Sequence, residues 1–281
     1  SCILDPLTQP LPFTPFKDFT GRSINEINLY STEMSSALCS IDRVSASANM
    51  NNRLSEAIVE AYKSTNGAPI SFELMLKCYQ SRMKDANNDD SISSVLKQLV
   101  NAHIFESEDK VSLIDDSYII KMDGYPKDGP IAKAIVYFLM SKLNNIYELL
   151  EKQAVNDEVV QIRHFSIIDE AHYMLDFDNR PLRNLIAVGR NKGLSIILAT
   201  QNMSSFKSKG FDFYANAQYP LIMKQQTIDD KVIKDLFGVS GQELQEIRTA
   251  IAGLQKGELI IKDQMAFALG MGNKYKKINV T

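Results

Sequence analysis

The sequence predicts an α/β fold: a largely parallel sheet with helices on both faces, carrying a mostly helical insert. Three observations lead there. From Gly129 onward the pattern runs helix, strand, helix, strand with short connections, the arrangement that wraps a parallel sheet on both sides. Two apolar runs in that region, 163–169 and 194–199, each end in a polar pair, Asp169-Glu170 and Thr200-Gln201. Between the first strand and this region, residues 32–116 lose the strand period and take up a helical one. The expected division is 1–31 for the start of the core, 32–116 for the insert and 117–281 for the remainder.

The elements follow in order. Cys2-Ile3-Leu4-Asp5 reads as a buried strand, and Pro6, Pro10, Pro12 and Pro15 then force an extended loop without ladder donors at those positions. A start on a strand suggests that the chain begins inside a domain. Over 32–63 Leu38, Ile41, Leu54, Ile58 and Ala61 fall on one helical face, and Asn66-Gly67 breaks the pattern. Residues 70–83 and 91–101 read as two further amphipathic helices, and 110–114 and 118–122 as short β-rich runs around Asp115-Asp116. Gly129-Pro130 opens a long helix to about residue 152, with proline in the first turn, where its missing amide is harmless. A strand over 163–169 follows, then a helix begun by Asn179-Arg180-Pro181 and ended by Gly193, then the strand 194–199. The C-terminal part adds a strand at 219–223, helices at 229–237 and 242–252, and a hairpin of 258–262 with 265–269.

Composition narrows the classes. At 281 residues and 44% hydrophobic the chain carries ample material for a core and is not disordered. Lys+Arg 31 against Asp+Glu 34 gives a net charge of −3, so there is no overall basic field, although positive charge confined to a channel leaves nucleic acid open. Cys2, Cys39 and Cys78 are odd in number and form no C-x-x-C pair, which points to free thiols in a reducing, cytoplasmic compartment. The most apolar helical stretch, 131–143, is interrupted by Lys133 and Lys142 and is too short to cross a bilayer, so no membrane role is expected. There is no G-x-S-x-G elbow. The calcium-like run Asp85, Asn87, Asp89 fails at Asp90 and Leu96, where a loop of that kind needs glycine and glutamate. His103, His164 and His172 lack metal spacing; His172, two residues past Glu170, reads first as a surface or capping residue and second as one lining the site. Lys274, Lys276 and Lys277 read as a solvated basic tail.

Two adjacent carboxylates at the end of a buried strand suit nucleotide hydrolysis. Such chemistry needs a metal against the phosphates, a water aimed at the γ-phosphorus and polar groups at the equatorial oxygens. Asp169 suits the metal role through a coordinated water. Glu170, just past the strand, suits activation of the attacking water, and Gln201 at the neighbouring strand end suits contact with the γ-phosphate or that water. Arg190 near a helix end is also what the helix dipole favours without any function.

FSIIDEAHYMLD followed by RNKGLSIILATQNMSSF resembles the HerA–FtsK class of P-loop ATPases, which place an acidic pair, an Arg-x-x-Gly helix end and a strand ending in Thr-Gln or Ser-Gln in that order. The ILDP start and the QKGELIIK element extend the likeness, which covers the sheet region well and 32–116 loosely. The resemblance implies a RecA-like P-loop core, ATP and Mg2+ as ligands with Asp169 and Thr200 at the nucleotide, and DNA as the molecule moved by a hexameric ring. It makes Arg190 a finger reaching a neighbouring subunit's nucleotide, and Lys207 and Lys209 DNA contacts in the channel loop. Within the class the Pro-rich opening and helical insert look most like ATPases of DNA processing and phage restriction, such as the HerA-like part of phosphorothioation-dependent systems, which implies a nuclease or restriction partner. A conjugation or secretion ATPase shares the same site and is the first alternative. A scaffold that keeps the fold without hydrolysis is the second.

One departure bears on activity. No G-x-x-x-x-G-K-[ST] occurs: 189–193 lacks the Gly-Lys-Ser/Thr ending, and Thr20-Gly21-Arg22-Ser23 has arginine in place of lysine. The expectation is that an upstream part of the same polypeptide supplies the phosphate loop, and that these residues alone bind ATP poorly.

Overall fold

Short polar caps divide the N-terminal part of the chain into four helices. In the computed structural model, which describes residues 2–41, 46–85, 88–156, 159–175, 177–201, 203–208, 211–263, 265, 268 and 274–280, strand β1 (Cys2–Leu4) is followed by α1 (Ile24–Ile41), α2 (Ala48–Ser64), α3 (Phe72–Gln80) and α4 (Ser91–Ala102). Ser47, Ser71 and Asp90 cap α2, α3 and α4 by accepting from the backbone N–H three residues on, and Asp90 with Ser93 forms a reciprocal capping box. The helix expected from residue 32 begins eight residues earlier. The reason is a Ser-x-x-Glu box: the Glu26 N–H donates to Ser23 Oγ at 3.3 Å and the Ser23 N–H to Glu26 Oε2 at 3.0 Å. The donation from Ser23 N–H, and next that from the Ser23 hydroxyl at 3.1 Å, hold the Glu26 carboxyl below its ordinary range.

Next come β2 (Tyr118–Ile120), α5 (Pro130–Leu149), β3 (Val155–Asn156), β4 (Val159–Val160) and β5 (His164–Ile168), then α6 (Arg180–Val188) and β6 (Leu194–Leu198). The remainder holds β7 (Lys207–Ser208), β8 (Phe211–Asp212), α7 (Phe213–Asn216), β9 (Leu221–Met223), α8 (Asp230–Phe237), α9 (Gly241–Ala252), β10 (Glu258–Lys262) and β11 (Tyr275–Asn279). By its contacts the chain divides into two compact units, Ser1–Ser166 with Asp176–Ile196, and Ile167–Leu175 with Ile197–Thr281. β1 pairs β2 in parallel, β5 pairs β6, and β9, β10 and β11 form an antiparallel sheet in the order β11-β10-β9.

The core of the first unit is aromatic. Over residues 132–141 α5 is buried on all sides, whereas its last turn reaches the surface at Leu149. Its Phe138 meets Phe16, Phe72 and Phe105 edge-on, with ring centroids 5.6, 5.2 and 5.8 Å away. Two of these partners come from unexpected places. The Pro-rich loop puts Leu11, Phe13 and Phe16 inside, because the 104–110 segment satisfies its backbone: Leu11 N–H donates to Ile104 O at 2.6 Å, and Glu106 and Lys110 N–H donate to Leu11 and Pro12 O at 3.0 and 2.9 Å. Thr14 N–H donates to Asp109 Oδ1 at 3.0 Å. With Asp109 and Lys110 tied to this loop, the strand expected at 110–114 does not form.

The second unit packs α8 and α9 on β9 and β10, with Val232, Ile233, Phe237, Ile247, Ile251 and Ile260 at its centre. The expected hairpin partner of β10 is corrected. Of residues 265–269 only 265 and 268 are described, both helical, and β10 pairs instead with β11, from Glu258↔Asn279 to Lys262↔Tyr275. The lysines read as a solvated tail are therefore on or beside a strand and ion-paired. Lys274 reaches Glu243 at 3.2 Å, Lys276 reaches Asp263 at 2.8 Å and Lys277 reaches Glu258 at 2.8 Å. The hydrogen bond from Lys277, with that from Gln255 N–H, lowers the Glu258 carboxyl.

Gly193 joins α6 to β6 and sets the register at which β6 enters. Its φ is +82°, and a Cβ there would stand 2.8 Å from Gln161 O and 3.0 Å from Arg163 N, both backbone atoms that do not yield. Gly193→Ala is therefore expected to cost about 2 kcal/mol or more, read as a lowered urea midpoint; an unchanged midpoint would contradict the close approach.

Candidate functional site

Two adjacent strand ends build the site. Arg163 N–H donates to Gly193 O at 2.7 Å and Ala199 N–H to Ile168 O at 2.9 Å, so β5 and β6 run in the same direction and finish side by side. Asp169-Glu170 thus lies next to Thr200-Gln201. The chain leaves β5 abruptly. Glu170 has φ 49° and ψ 40°, a 3-10 turn over Ala171–Met174 follows, and Ala171 N–H donates to Ala199 O at 2.8 Å. Buried Ala171 and Met174 anchor that turn.

The conformation of Glu170 is informative. Among the described residues three non-glycine residues have positive φ: Asn66, His103 and Glu170. The first two follow helix ends, where a left-handed residue is the ordinary cap. Glu170 instead sits at a strand end, where such a conformation costs about 1–3 kcal/mol and tends to be kept at functional positions.

The side chains meet there. Gln201 Nε2 donates to Glu170 Oε1, and Glu170 N–H donates to Asp169 Oδ1 at 2.9 Å. Glu170 Oε2 is buried and has no aligned hydrogen bond; its near neighbour is His172 Nδ1 at 3.4 Å, close enough for an ion pair if the ring is protonated. The same Nδ1 lies 3.2 Å from Thr200 Oγ1, and the His172 ring leans on Tyr173 with centroids 4.0 Å apart. The expectation that His172 is a surface or capping residue is thus replaced by a half-buried ring between Thr200 and Glu170. Its place two residues past an acidic pair was the only available signal, and that spacing does not reveal a partner on another strand.

The other candidates lie on other elements. Arg190 is exposed on the 3-10 turn Gly189–Lys192 after α6, in the first compact unit. Lys207 opens β7, whose backbone pairs with Asp212 of β8, and Lys209 lies outside the described residues. Among the described residues no group of three or more His, Cys, Asp or Glu side chains is placed to hold a metal. No helix among them is long and apolar enough to cross a membrane.

At the other end of β5, His164 is half-buried beside Tyr147, its Nδ1 without a hydrogen-bond partner. Desolvation pushes its pKa below the ordinary 6.5. In the unfolded chain the ring takes its proton near that value, and in the fold only at lower pH, so the unfolded state holds more protons in between. Stability is retained above about pH 6.5 and falls as pH drops through the window beneath it. The melting temperature is expected to fall from about pH 7.5 to about pH 5.5, and less so in His164→Phe; identical slopes would remove His164 as the cause.

No protein-family model and no curated protein matches the chain. Solved structures do. VirB4 of Thermoanaerobacter pseudethanolicus superposes with a TM-score of 0.63 at 16% identity, over 99% of this chain and 76% of that one. The plasmid coupling protein TrwB in complex with a non-hydrolysable ATP analogue gives 0.60 at 13%, over 100% and 73%. TrwB in complex with ADP and Mg2+ gives 0.54 at 13%, again over 100% and 73%. Parallel strand pairs, flanking helices and these superpositions together identify the fold as the RecA-like α/β fold that these structures share.

Proposed function

We propose that these residues form the acid-and-sensor side of an ATP-hydrolysing motor of the HerA–FtsK class that moves DNA. The observation that carries this is the hydrogen bond from Gln201 to a Glu170 held at positive φ, across two neighbouring strand ends. A base and a γ-phosphate sensor that touch directly can answer to the same triphosphate. In the mechanism Asp169 would hold Mg2+, whose charge would offset that of the phosphates. Glu170 accepts the proton of the attacking water. Gln201 donates to Oε1, and loss of that bond would report the state of the phosphate to the loop beyond it. Thr200 steadies the strand end.

Further parts of the proposal rest on the class resemblance. Arg190 acts on the nucleotide of a neighbouring subunit in a hexameric ring. Lys207 and Lys209 meet DNA phosphates, and the assembly works in the cytoplasm with a nuclease or restriction partner. The phosphate loop comes from outside the 281 residues, in an upstream part of the same polypeptide. In support, Ile3 and its ladder partner Ile119 are 58% and 53% exposed, as on a sheet that lacks a covering layer.

A second proposal is a role in conjugation, favoured by the likeness to TrwB, a bacterial conjugative coupling protein. The test common to both is DNA-stimulated ATP turnover by the intact protein and its Glu170→Gln variant. Turnover that is absent from the unmodified protein would instead favour a scaffold without hydrolysis.

A further inference from the structure

We propose that His172 is a positioning residue that ties the end of β6 to the Glu170 carboxylate, through Thr200 on one side and Glu170 Oε2 on the other. This role rests on the assignment of Glu170 as the base. The need for it comes from the backbone. At φ 49° and ψ 40° Glu170 is turned out of the line of β5, so the strand does not aim its carboxylate and side-chain contacts must. Gln201 fixes one oxygen. The other, Oε2, is buried without an aligned hydrogen bond, an arrangement that costs a carboxylate much of its hydration unless a donor or positive group stands near. His172 Nδ1 is that neighbour, 3.4 Å from Oε2 and 3.2 Å from Thr200 Oγ1.

The geometry allows two arrangements of one proton. With hydrogen on Nε2, Thr200 donates to Nδ1 and the ring offers Glu170 nothing. With hydrogen on Nδ1, Thr200 Oγ1 at 3.2 Å and Glu170 Oε2 at 3.4 Å are both in reach of the N–H, which draws the carboxylate towards β6. The tilted contact with the Tyr173 ring, centroids 4.0 Å apart, supports the imidazole in both. The residue that faces the attacking water would therefore be braced from both neighbours on the second strand, Gln201 directly and Thr200 through the imidazole. Such a brace is expected to affect the orientation of the base more than the binding of nucleotide, because His172 contacts the carboxylate assigned as the base.

The experiment uses the intact protein, with ATP turnover, nucleotide binding and thermal stability measured on each variant. His172→Ala is expected to lower kcat by about tenfold or more with KM for ATP changed by less than about threefold. His172→Asn, whose amide falls where Nδ1 stands, restores most of the rate, whereas His172→Gln, whose amide falls nearer the Nε2 position, does not. Thr200→Val lowers kcat in the same sense, and combining it with His172→Ala adds little, as for residues acting in one chain. Full kcat in His172→Ala, an Asn variant no better than the Ala variant, or a multiplicative double variant would each overturn the proposal. So would a parallel collapse of stability and nucleotide binding, which marks a purely structural role. Glu170→Gln run alongside separates the two levels: if it retains turnover, the assignment of the base has failed, and if it abolishes turnover while His172→Ala does not alter it, only the role of His172 has.

Discussion

Glu170→Gln in the intact protein is expected to lower ATP turnover by about 100-fold to 10,000-fold, the range that a positioned general base contributes, with nucleotide binding preserved. The substitution is close to isosteric and keeps a side-chain oxygen that can still accept the Gln201 Nε2–H bond. It removes only the ability to take a proton from water. Asp169, whose Oδ1 accepts the Glu170 N–H through the backbone, keeps that bond because the amide group at 170 is unaffected. A fall in kcat with KM unchanged would place the loss in the chemical step, whereas a rise in KM alone would mean that residue 170 binds nucleotide and something else activates the water. The left-handed backbone adds an independent check. Glu170→Gly relieves the conformational cost and should stabilise the fold slightly while removing turnover, a divergence of stability and activity expected where strain serves function.

Phe138→Ala is expected to cost about 3–5 kcal/mol, a large part of the 5–15 kcal/mol or so that holds a domain together. Phe138 has no exposed surface and meets three other phenylalanines, from the Pro-rich loop, from α3 and from the segment after α4. Truncation leaves a cavity lined by rings that are held by separate backbones and cannot all collapse into it. The measurement is the urea midpoint at unchanged slope. A loss below about 1 kcal/mol would mean that these segments do not share a core. The outcome also bears on organisation: a large loss shows that the helices between residues 24 and 102 and the long helix α5 unfold together.

Much of this molecule was legible residue by residue. α4, α5, α8, α9, β6 and β10 fall where the apolar period and the end signals put them, because their information is local: a proline in the first turn, an aspartate or serine cap, a glycine past the end. The start of α1 was equally local and was written in Ser23 and Glu26. What periodicity could not supply was partnership. Residues 110–114 have the composition of a strand, yet their neighbours are claimed by the loop at 11–14, and β10 takes a partner from residues 275–279 across an intervening stretch. Strand pairing depends on which backbone donors and acceptors arrive opposite one another, and single-chain composition does not encode that.

For the candidate site the division is sharper. The sequence alone determined that an acidic pair and a Thr-Gln pair each close an apolar run, because strand ends and their residue types are local properties. Only the tertiary structure decided that the two runs are neighbours, that Gln201 holds Glu170, that Glu170 turns left-handed, and that the ring of His172 stands between Thr200 and the carboxylate. The physical reason is that the Gln201–Glu170 and Thr200–His172 contacts join residues about thirty positions apart, and the hydrogen-bond register of β5 against β6 sets them.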